Sequence, residues 1–222
     1  MSFGSLSQAH PSPTQGLALA SAAAAVVYGL FLVSRPASPL KTLAKVAAVG
    51  LLTVLALVID APAPLIVALA LSTVGDGFLA GNSERWLPAG LAAFLLAHLA
   101  YIRLFMGEGG GAGALMAEQW RAVGVAGALI GGLAMVIWLW PGLGRLRPAV
   151  LFYAAALAIM TATAFTLPRQ LWPAMVGAAA FFLSDAILSA ELFKNRRSPW
   201  TSQAVWWLYY GAQAAITWAY LR

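Results

Sequence analysis

Two aspartates lie inside apolar stretches of the sequence that are long enough to cross a membrane. Asp76 follows the run Leu71–Gly75, and Asp185 follows the run Gly177–Ser184. An ionisable residue within a span costs about 2.5–3.5 kcal/mol on insertion scales, so each aspartate is a candidate functional residue. Two carboxyl groups in unequal surroundings can divide the roles of proton donor and proton acceptor. Such a pair suits hydrolysis through an oxocarbenium-like cation, and it also suits peptide hydrolysis by an aspartyl dyad.

Other polar residues fall within the same spans. A rise of 1.5 Å per residue puts Asp76, Asp185 and Lys45 roughly 8–12 Å below one membrane face. His98 lies deeper, at roughly 18 Å, and shares a helical face with Tyr101. Helical spacing also places Tyr209 and Gln213 on one face of the last helix. We therefore predict that these side chains converge in one half of the bundle, with Lys45 as the counter-charge. Each of these residues also has a purely structural interpretation. His98 could serve only in packing, Tyr209 could be an interfacial aromatic, and Lys45 could extend its ammonium to the membrane surface.

The residue types also limit which cofactors the chain could hold. It has no cysteine, which excludes disulfides, thiol nucleophiles and cysteine metal sites. Asp76, Asp185 and His98 are possible metal ligands by type, but His98 lies deeper than the aspartates. We therefore predict a site with no metal and no cofactor. The glycine-rich run 107–111 lacks the Lys-Ser/Thr ending and the preceding strand of a phosphate loop, so we interpret it as a flexible linker.

Composition identifies the class of protein that must position these residues. Only 9% of the 222 residues are charged, against about 25% in soluble domains, and 62% are hydrophobic. This excludes a water-soluble globule and a disordered chain, and it predicts an all-α, polytopic membrane protein. We predict a flexible tail over 1–16 and one domain over 17–222. Its eight spans are 17–34, 38–59, 63–81, 86–105, 117–140, 148–166, 170–193 and 203–221.

Basic residues lie mostly on one side of the predicted bundle, and they lie in short loops, which argues against nucleic-acid binding. We call the side of the first, third, fifth and seventh loops the basic face. Its nine basic residues are Arg35, Lys41, Lys45, Arg85, Arg145, Arg147, Lys194, Arg196 and Arg197, against four on the opposite face. The bias predicts a bacterial inner-membrane protein with this face in the cytoplasm, both termini outside and the site in the cytoplasmic leaflet half. The tail carries no positive charge, so we expect the first helix to be retained rather than cleaved as a signal.

A short internal repeat relates the two halves of the chain. Residues 75–80 resemble residues 184–189 at an offset of 109, which puts one aspartate in the third helix of each four-helix half. An even number of spans gives both halves the same orientation, as in some transporters. A proton-coupled transporter with Asp76 and Asp185 as proton sites is therefore the main alternative to an enzyme. A structural scaffold is a further one, and it predicts that asparagine is tolerated at both positions.

An intramembrane aspartyl protease fits less well. Residues Thr73–Asp76 lack the first glycine of a Gly-x-Gly-Asp sequence. The only Pro-Ala-Pro-Leu stretch, Pro62–Leu65, precedes both aspartates, whereas such proteases carry Pro-Ala-Leu after them. We therefore set this class aside.

Three blocks in order carry a more specific resemblance. They are Leu71–Asp76, Phe94–Ile102 and Gly177–Asp185, and together they resemble the YhhN-type lysoplasmalogenase family. Three further features fit the same pattern: Pro39–Lys45, the spacing from Tyr153 to Met160, and Tyr209–Gln213. The resemblance runs from about residue 35 to the end of the chain.

The resemblance implies an eight-helix membrane enzyme that hydrolyses the vinyl ether bond of lysoplasmalogen or of a related lysolipid. The products would be a fatty aldehyde and a glycerophospho-base. Asp76 and Asp185 would be the acid and the base, in either order, and Lys45 would hold the lipid phosphate or adjust an aspartate. The residues expected to position water or glycerol are His98, Tyr101, Tyr209 and Gln213. We expect a lysophospholipid and membrane lipid as partners, and no obligate protein partner.

Overall fold

Nine α-helices make up most of the chain in a computed structural model that describes residues 12–81, 84–194 and 196–221. No strand occurs in these residues, so the predicted all-α class is confirmed. Most of the predicted tail, residues 1–11, lies outside the described residues. The helices are α1 Pro13–Val27, α2 Pro39–Val58, α3 Ala63–Ala80, α4 Leu87–Glu108, α5 Gly111–Ala117, α6 Gln119–Leu139, α7 Arg147–Ala164, α8 Trp172–Phe193 and α9 Pro199–Ala219.

Proline and serine set where many of these helices begin. Seven helices carry proline within their first turn, where its missing N–H costs no hydrogen bond and its fixed φ suits the helix. The hydroxyls of Ser12, Ser38 and Ser198 accept backbone N–H groups at the starts of α1, α2 and α9. The cap at Ser12 starts α1 four residues before the predicted position 17.

Within the residues that the structure describes, seven helices are long and apolar enough to cross a membrane, which agrees with an integral membrane protein. The α9 helix has 21 residues but is not among these seven. Its polar face, which includes Gln203, Tyr209 and Gln213, lowers its mean hydropathy. The predicted linker is partly helical, because α4 continues to Glu108 and the short α5 follows.

The long helices form a closed ring with two outer helices. In order around the ring, α2, α3, α4, α7, α8 and α9 each contact the next, and α9 contacts α2 again. Outside the ring, α1 packs on α2, and α6 packs on α7 and α8. Exchanging α1–α4 with α6–α9 turns the ring contacts into one another and the α1–α2 contact into the α6–α7 contact; the α6–α8 contact is additional. The halves suggested by the sequence repeat therefore have matching packing, and α3 corresponds to α8.

Close helix packing fixes the two aspartate-bearing helices against their neighbours. A Cβ atom at Gly75 of α3 would lie 2.7 Å from the Phe94 ring of α4. A Cβ atom at Gly177 of α8 would lie 2.8 Å from the Ala212 carbonyl of α9. Glycine at each point allows the closely approaching helix pairs that membrane proteins use.

A cluster of charged residues joins helices on the face opposite the basic face. Glu118 accepts a hydrogen bond of 2.6 Å from Arg121 and also pairs with Arg169. These hydrogen bonds, that from Arg121 first, hold the pKa of Glu118 below its usual value. The Arg121 side chain is only 4% exposed and donates to the carbonyls of Phe165 and Leu167. The arginine thus ties α6 to the connection between α7 and α8.

Candidate active site

Asp76 lies on α3 and is neutralised by a cation from α2. Its Oδ1 atom is 3.0 Å from Nζ of Lys45, and its Oδ2 atom accepts a hydrogen bond of 2.7 Å from the Tyr209 hydroxyl of α9. The aspartate is 1% exposed, and the lysine side chain is 15% exposed. A buried carboxylate needs a partner charge and hydrogen-bond donors, and Asp76 has both.

Asp185 lies on α8 and has different partners. Its Oδ2 atom accepts a hydrogen bond of 2.5 Å from the Tyr153 hydroxyl of α7 and lies 3.8 Å from Nε2 of His98 on α4. The preceding residue, Ser184, donates to the Val205 carbonyl of α9 and fixes this part of α8. The polar side chains next to Asp185 are therefore a phenol and an imidazole, whereas Asp76 pairs with a lysine.

Both aspartates line the same cavity, which has a volume of about 230 Å³. Its walls are largely apolar and aromatic, with Leu79, Leu91, Phe94, Leu188 and Trp206 among them. Towards the loops of the basic face the lining becomes charged and polar; this part, which we call the mouth, includes Lys41, Glu191, Arg197 and Ser202. The cavity therefore connects a polar mouth to the two carboxyl groups through largely apolar walls.

The remaining predicted site residues divide into two groups. Lys45 and Tyr209 line the cavity beside Asp76, as the two aspartates do. His98, Tyr101 and Gln213 are absent from the lining; they are fully buried behind it. The Tyr101 hydroxyl donates to Oε1 of Gln213. The Phe181 ring packs edge-on against both His98 and Tyr101 in the core of the bundle.

The sequence reasoning gave no role to Tyr153. A tyrosine in an apolar run is common, so residue type alone did not distinguish it. The internal repeat does indicate a role for Tyr153. Lys45 of α2 and Tyr153 of α7 occupy corresponding helices, and their separation is close to the repeat offset of 109. Lys41 and Arg197 were counted only as topology markers.

The arrangement is suited to acid–base chemistry within hydrocarbon. Both carboxyl groups accept a hydrogen bond from a phenol, but of the two only Asp76 is paired with a lysine in the described residues, so the two can hold different protonation states. Among the described residues, no group of three or more histidine and acidic side chains is arranged to hold a metal ion. The chemistry that these residues can supply themselves is proton donation, proton acceptance and stabilisation of a nearby positive charge.

Comparison with known proteins identifies relatives. The YhhN family profile matches residues 40–220. A protein named Lysoplasmalogenase from Mycobacterium bovis (strain ATCC BAA-935 / AF2122/97) is 34% identical over 158 residues, which cover 69% of this chain and 58% of the relative. A protein of the same name from Mycobacterium tuberculosis (strain CDC 1551 / Oshkosh) gives the same values. The match thus spans little more than half the length of these relatives. No solved structure matches the chain.

The family match covers most of the chain and includes both aspartates, the lysine and every helix from α3 to α9. It agrees with the resemblance that the blocks around Asp76, Phe94 and Asp185 carry. The chain belongs to the YhhN family.

Proposed function

We propose that this protein is a membrane-embedded hydrolase that cleaves the vinyl ether bond of lysoplasmalogen, or of a related single-chain lipid. The products are a fatty aldehyde and a glycerophospho-base. The observation that carries the proposal is that Asp76 and Asp185, from different halves of the chain, line one cavity with different partners. The name of the two mycobacterial relatives supports the same substrate class.

The partners of the two aspartates suggest which is the acid. Lys45 balances one negative charge, and it pairs with Asp76, so we assign Asp76 as the carboxylate. In the part of the chain that the structure describes, Asp185 pairs with no lysine or arginine. A carboxyl group away from water and without a cation is most stable in its neutral form. We therefore assign Asp185 as the proton donor.

The reaction then follows from these two states. Asp185 gives its proton to the alkenyl carbon that is not bonded to oxygen, and an oxocarbenium ion forms at the other carbon. The Asp76 carboxylate stabilises this cation and accepts a proton from the water that attacks it. Asp76 then returns that proton to the glycerol oxygen as the hemiacetal carbon–oxygen bond breaks, and the hemiacetal hydroxyl proton restores Asp185. One water is consumed for each aldehyde released.

The shape of the cavity suits a single-chain lipid entering from the basic face. In such a lipid the ether bond lies directly below the polar head group, and the aspartates lie roughly 8–12 Å below the face by helical rise. The apolar walls can take the hydrocarbon chain, and the mouth can take the head group. Together with the positive-inside bias, this supports a site in the cytoplasmic leaflet half of a bacterial inner membrane.

The structure gives no support for the transporter alternative. Transporters of the repeat type bind substrate at interrupted helices. Here α3 continues from Ala63 to Ala80 through Asp76, and α8 continues from Trp172 to Phe193 through Asp185. The helices around the two aspartates are therefore unbroken.

The test is aldehyde release by purified protein in detergent. We expect aldehyde from lysoplasmalogen and none from the matching acyl lysophospholipid. Asp76→Asn and Asp185→Asn should each lower the rate by at least 10²-fold, the scale of a general acid or base. Asp60→Asn is the matched control, because Asp60 is exposed in the connection between α2 and α3 and its φ of 50° is one that asparagine accepts. Aldehyde release that survives both site substitutions would refute the proposal.

A further inference from the structure

We infer that the mouth of the cavity is a head-group site in which Lys41 and Arg197 bind the lipid phosphate and Glu191 binds a cationic group beyond it. The inference rests on the proposed function and specifies its substrate as a zwitterionic single-chain phospholipid. It also moves phosphate binding away from Lys45, because that ammonium already pairs with Asp76.

Lys41 has the geometry of a fixed anion-binding group. Its side chain is 3% exposed, and Nζ donates to the carbonyls of Val33 at 2.9 Å and Arg35 at 2.7 Å. An ammonium has three donors, so one N–H remains for a ligand. Two carbonyls hold the group in place, which reduces the entropy that a flexible lysine would lose on binding.

Arg197 adds a second positive charge at the same place. It is exposed, lines the cavity, and is close enough to Lys41 for the two charges to repel each other. Within the described residues neither side chain forms a salt bridge. A phosphate between them would remove this repulsion and accept charge-assisted hydrogen bonds from both.

Glu191 is held so that one carboxylate oxygen is engaged by the protein. The hydroxyls of Thr201 and Ser202, at the start of α9, both donate to its Oε1 atom. The other oxygen, Oε2, can accept a hydrogen bond from an ammonium or contact a quaternary amine. Glu191 is thus an anion in a mouth whose other charged residues, within the described part of the chain, are Lys41 and Arg197.

The spacing of these residues matches the order of groups in the lipid. Lys41 precedes Lys45 by one helical turn, which is about 6 Å towards the basic face. Glu191 follows Asp185 by six residues, about 9 Å in the same direction. In a glycerophospholipid, five bonds separate phosphorus from the ether oxygen, about 6 Å when extended. With the ether bond at the aspartates, the phosphate reaches Lys41 and the amine lies near Glu191.

The first experiment measures binding without hydrolysis. The probe is radiolabelled 1-O-alkyl-lysophosphoethanolamine, a saturated ether that cannot be protonated at an alkenyl carbon, with 1-O-alkylglycerol as the phosphate-free comparison. Arg197→Met should raise the Kd of the phosphorylated probe about tenfold and lower its preference over the alkylglycerol by a similar factor. Arg196→Met is the matched control: it is exposed, adjacent and absent from the cavity lining, so the preference should be unchanged.

Lys41 needs two substitutions because it also holds the chain between α1 and α2. Lys41→Met should abolish the preference for the phosphorylated probe, and Lys41→Arg should restore part of it. If both variants melt far below the wild type, the Arg197 result decides. Equal loss of affinity for the phosphorylated and phosphate-free probes in the Arg197 variant would overturn the phosphate assignment.

The second experiment tests Glu191. Glu191→Gln should shift the affinity ratio about tenfold from alkyl-lysophosphoethanolamine towards alkyl-lysophosphatidic acid, which has no amine. Glycerophosphoethanolamine without a chain serves as a competitor. Competition at micromolar levels would mean that the mouth binds free phosphate compounds, and no competition below millimolar levels would mean that it binds the lipid. An unchanged ratio in the glutamine variant would contradict the assignment of Glu191.

These results separate the head-group site from the reaction. If the phosphorylated probe binds as expected but lysoplasmalogen releases no aldehyde, the mouth assignment stands and the proposed function fails. If aldehyde is released but Arg197→Met and Glu191→Gln leave head-group preference intact, the reaction stands and the head-group site fails.

Discussion

The two aspartates occupy corresponding places in the two halves of the ring, but their neighbours differ in charge. Asp76 on α3 contacts Lys45 from α2 and Tyr209 from α9. Asp185 on α8 lies against Tyr153 from α7 and His98 from α4. Under exchange of the halves α2 corresponds to α7 and α9 to α4, so the partners come from corresponding helices.

This difference shows how one architecture can hold two carboxyl groups in different states. Corresponding helices surround both aspartates, and the residue that contacts each aspartate from the second helix of its half differs in charge. In the proposed assignment, a lysine there balances the charge of an ionised aspartate, and a tyrosine there leaves its aspartate without a cation. Enzymes that use two carboxyl groups for different roles require this kind of asymmetry.

The largest expected effect is a difference in stability between the two asparagine variants. Asp76→Asn leaves Lys45 as an uncompensated buried cation, so we expect it to lower the free energy of unfolding by about 3–5 kcal/mol. Asp185→Asn replaces a neutral carboxyl group with a neutral amide and should cost less than about 1 kcal/mol. Both variants are measured by thermal unfolding in the same detergent.

A double variant controls for this prediction. Adding Lys45→Met to Asp76→Asn removes the unpaired charge, so we expect stability to recover while aldehyde release stays absent. Equal losses of stability in the two single asparagine variants, or no recovery in the double variant, would mean that the two sites do not differ in charge as described.

A smaller effect is expected from removing the two phenol groups. Tyr209→Phe deletes a hydrogen bond to an ionised carboxylate, worth about 1.5–3 kcal/mol. Tyr153→Phe deletes one to a neutral carboxyl group, worth about 0.5–1.5 kcal/mol. The same unfolding measurement should therefore rank Tyr209→Phe as more destabilising. The reverse order would indicate that Asp185 carries the charge.

Much of this comparison could be read from the sequence, but the partners of the second aspartate could not. Asp76, Asp185 and Lys45 stand out because charged residues in apolar runs are costly and therefore rare. Tyr153 does not, because a tyrosine can lie in a span for packing alone. The sequence identified His98 as a polar residue within a span but did not show that it would be buried behind the cavity lining.

Helix ends show the same limit. Glu118 and Arg121 lie near the start of a predicted span, a position where long side chains can reach water. Arg121 instead turns inward to the carbonyls at the end of α7, a contact between residues more than forty positions apart. The short helix α5 was missed because glycine-rich sequence favours a linker, and its few turns depend on contacts with α6.

The smallest expected effect comes from Glu118, a carboxylate outside the spans. Its effect on stability serves as the reference for those of Asp76 and Asp185. Arg121 and Arg169 hold the pKa of Glu118 below its usual value. The ion pairs of Glu118 therefore contribute to stability fully at pH values above the usual pKa of a glutamate. The contribution is lost as pH falls through the lowered pKa. We expect the difference in melting temperature between wild type and Glu118→Gln to be small at neutral pH and to vanish under acid conditions. A difference that grows on acidification would contradict this sign.

Infrared difference spectroscopy of the resting protein tests the central claim most directly, because a protonated carboxyl group has a carbonyl band that a carboxylate lacks. We predict such a band in the wild type and in Asp76→Asn, and its loss in Asp185→Asn. A band that disappears in Asp76→Asn but persists in Asp185→Asn, or no band in the wild type, would contradict the account of one ionised and one protonated aspartate in a shared cavity.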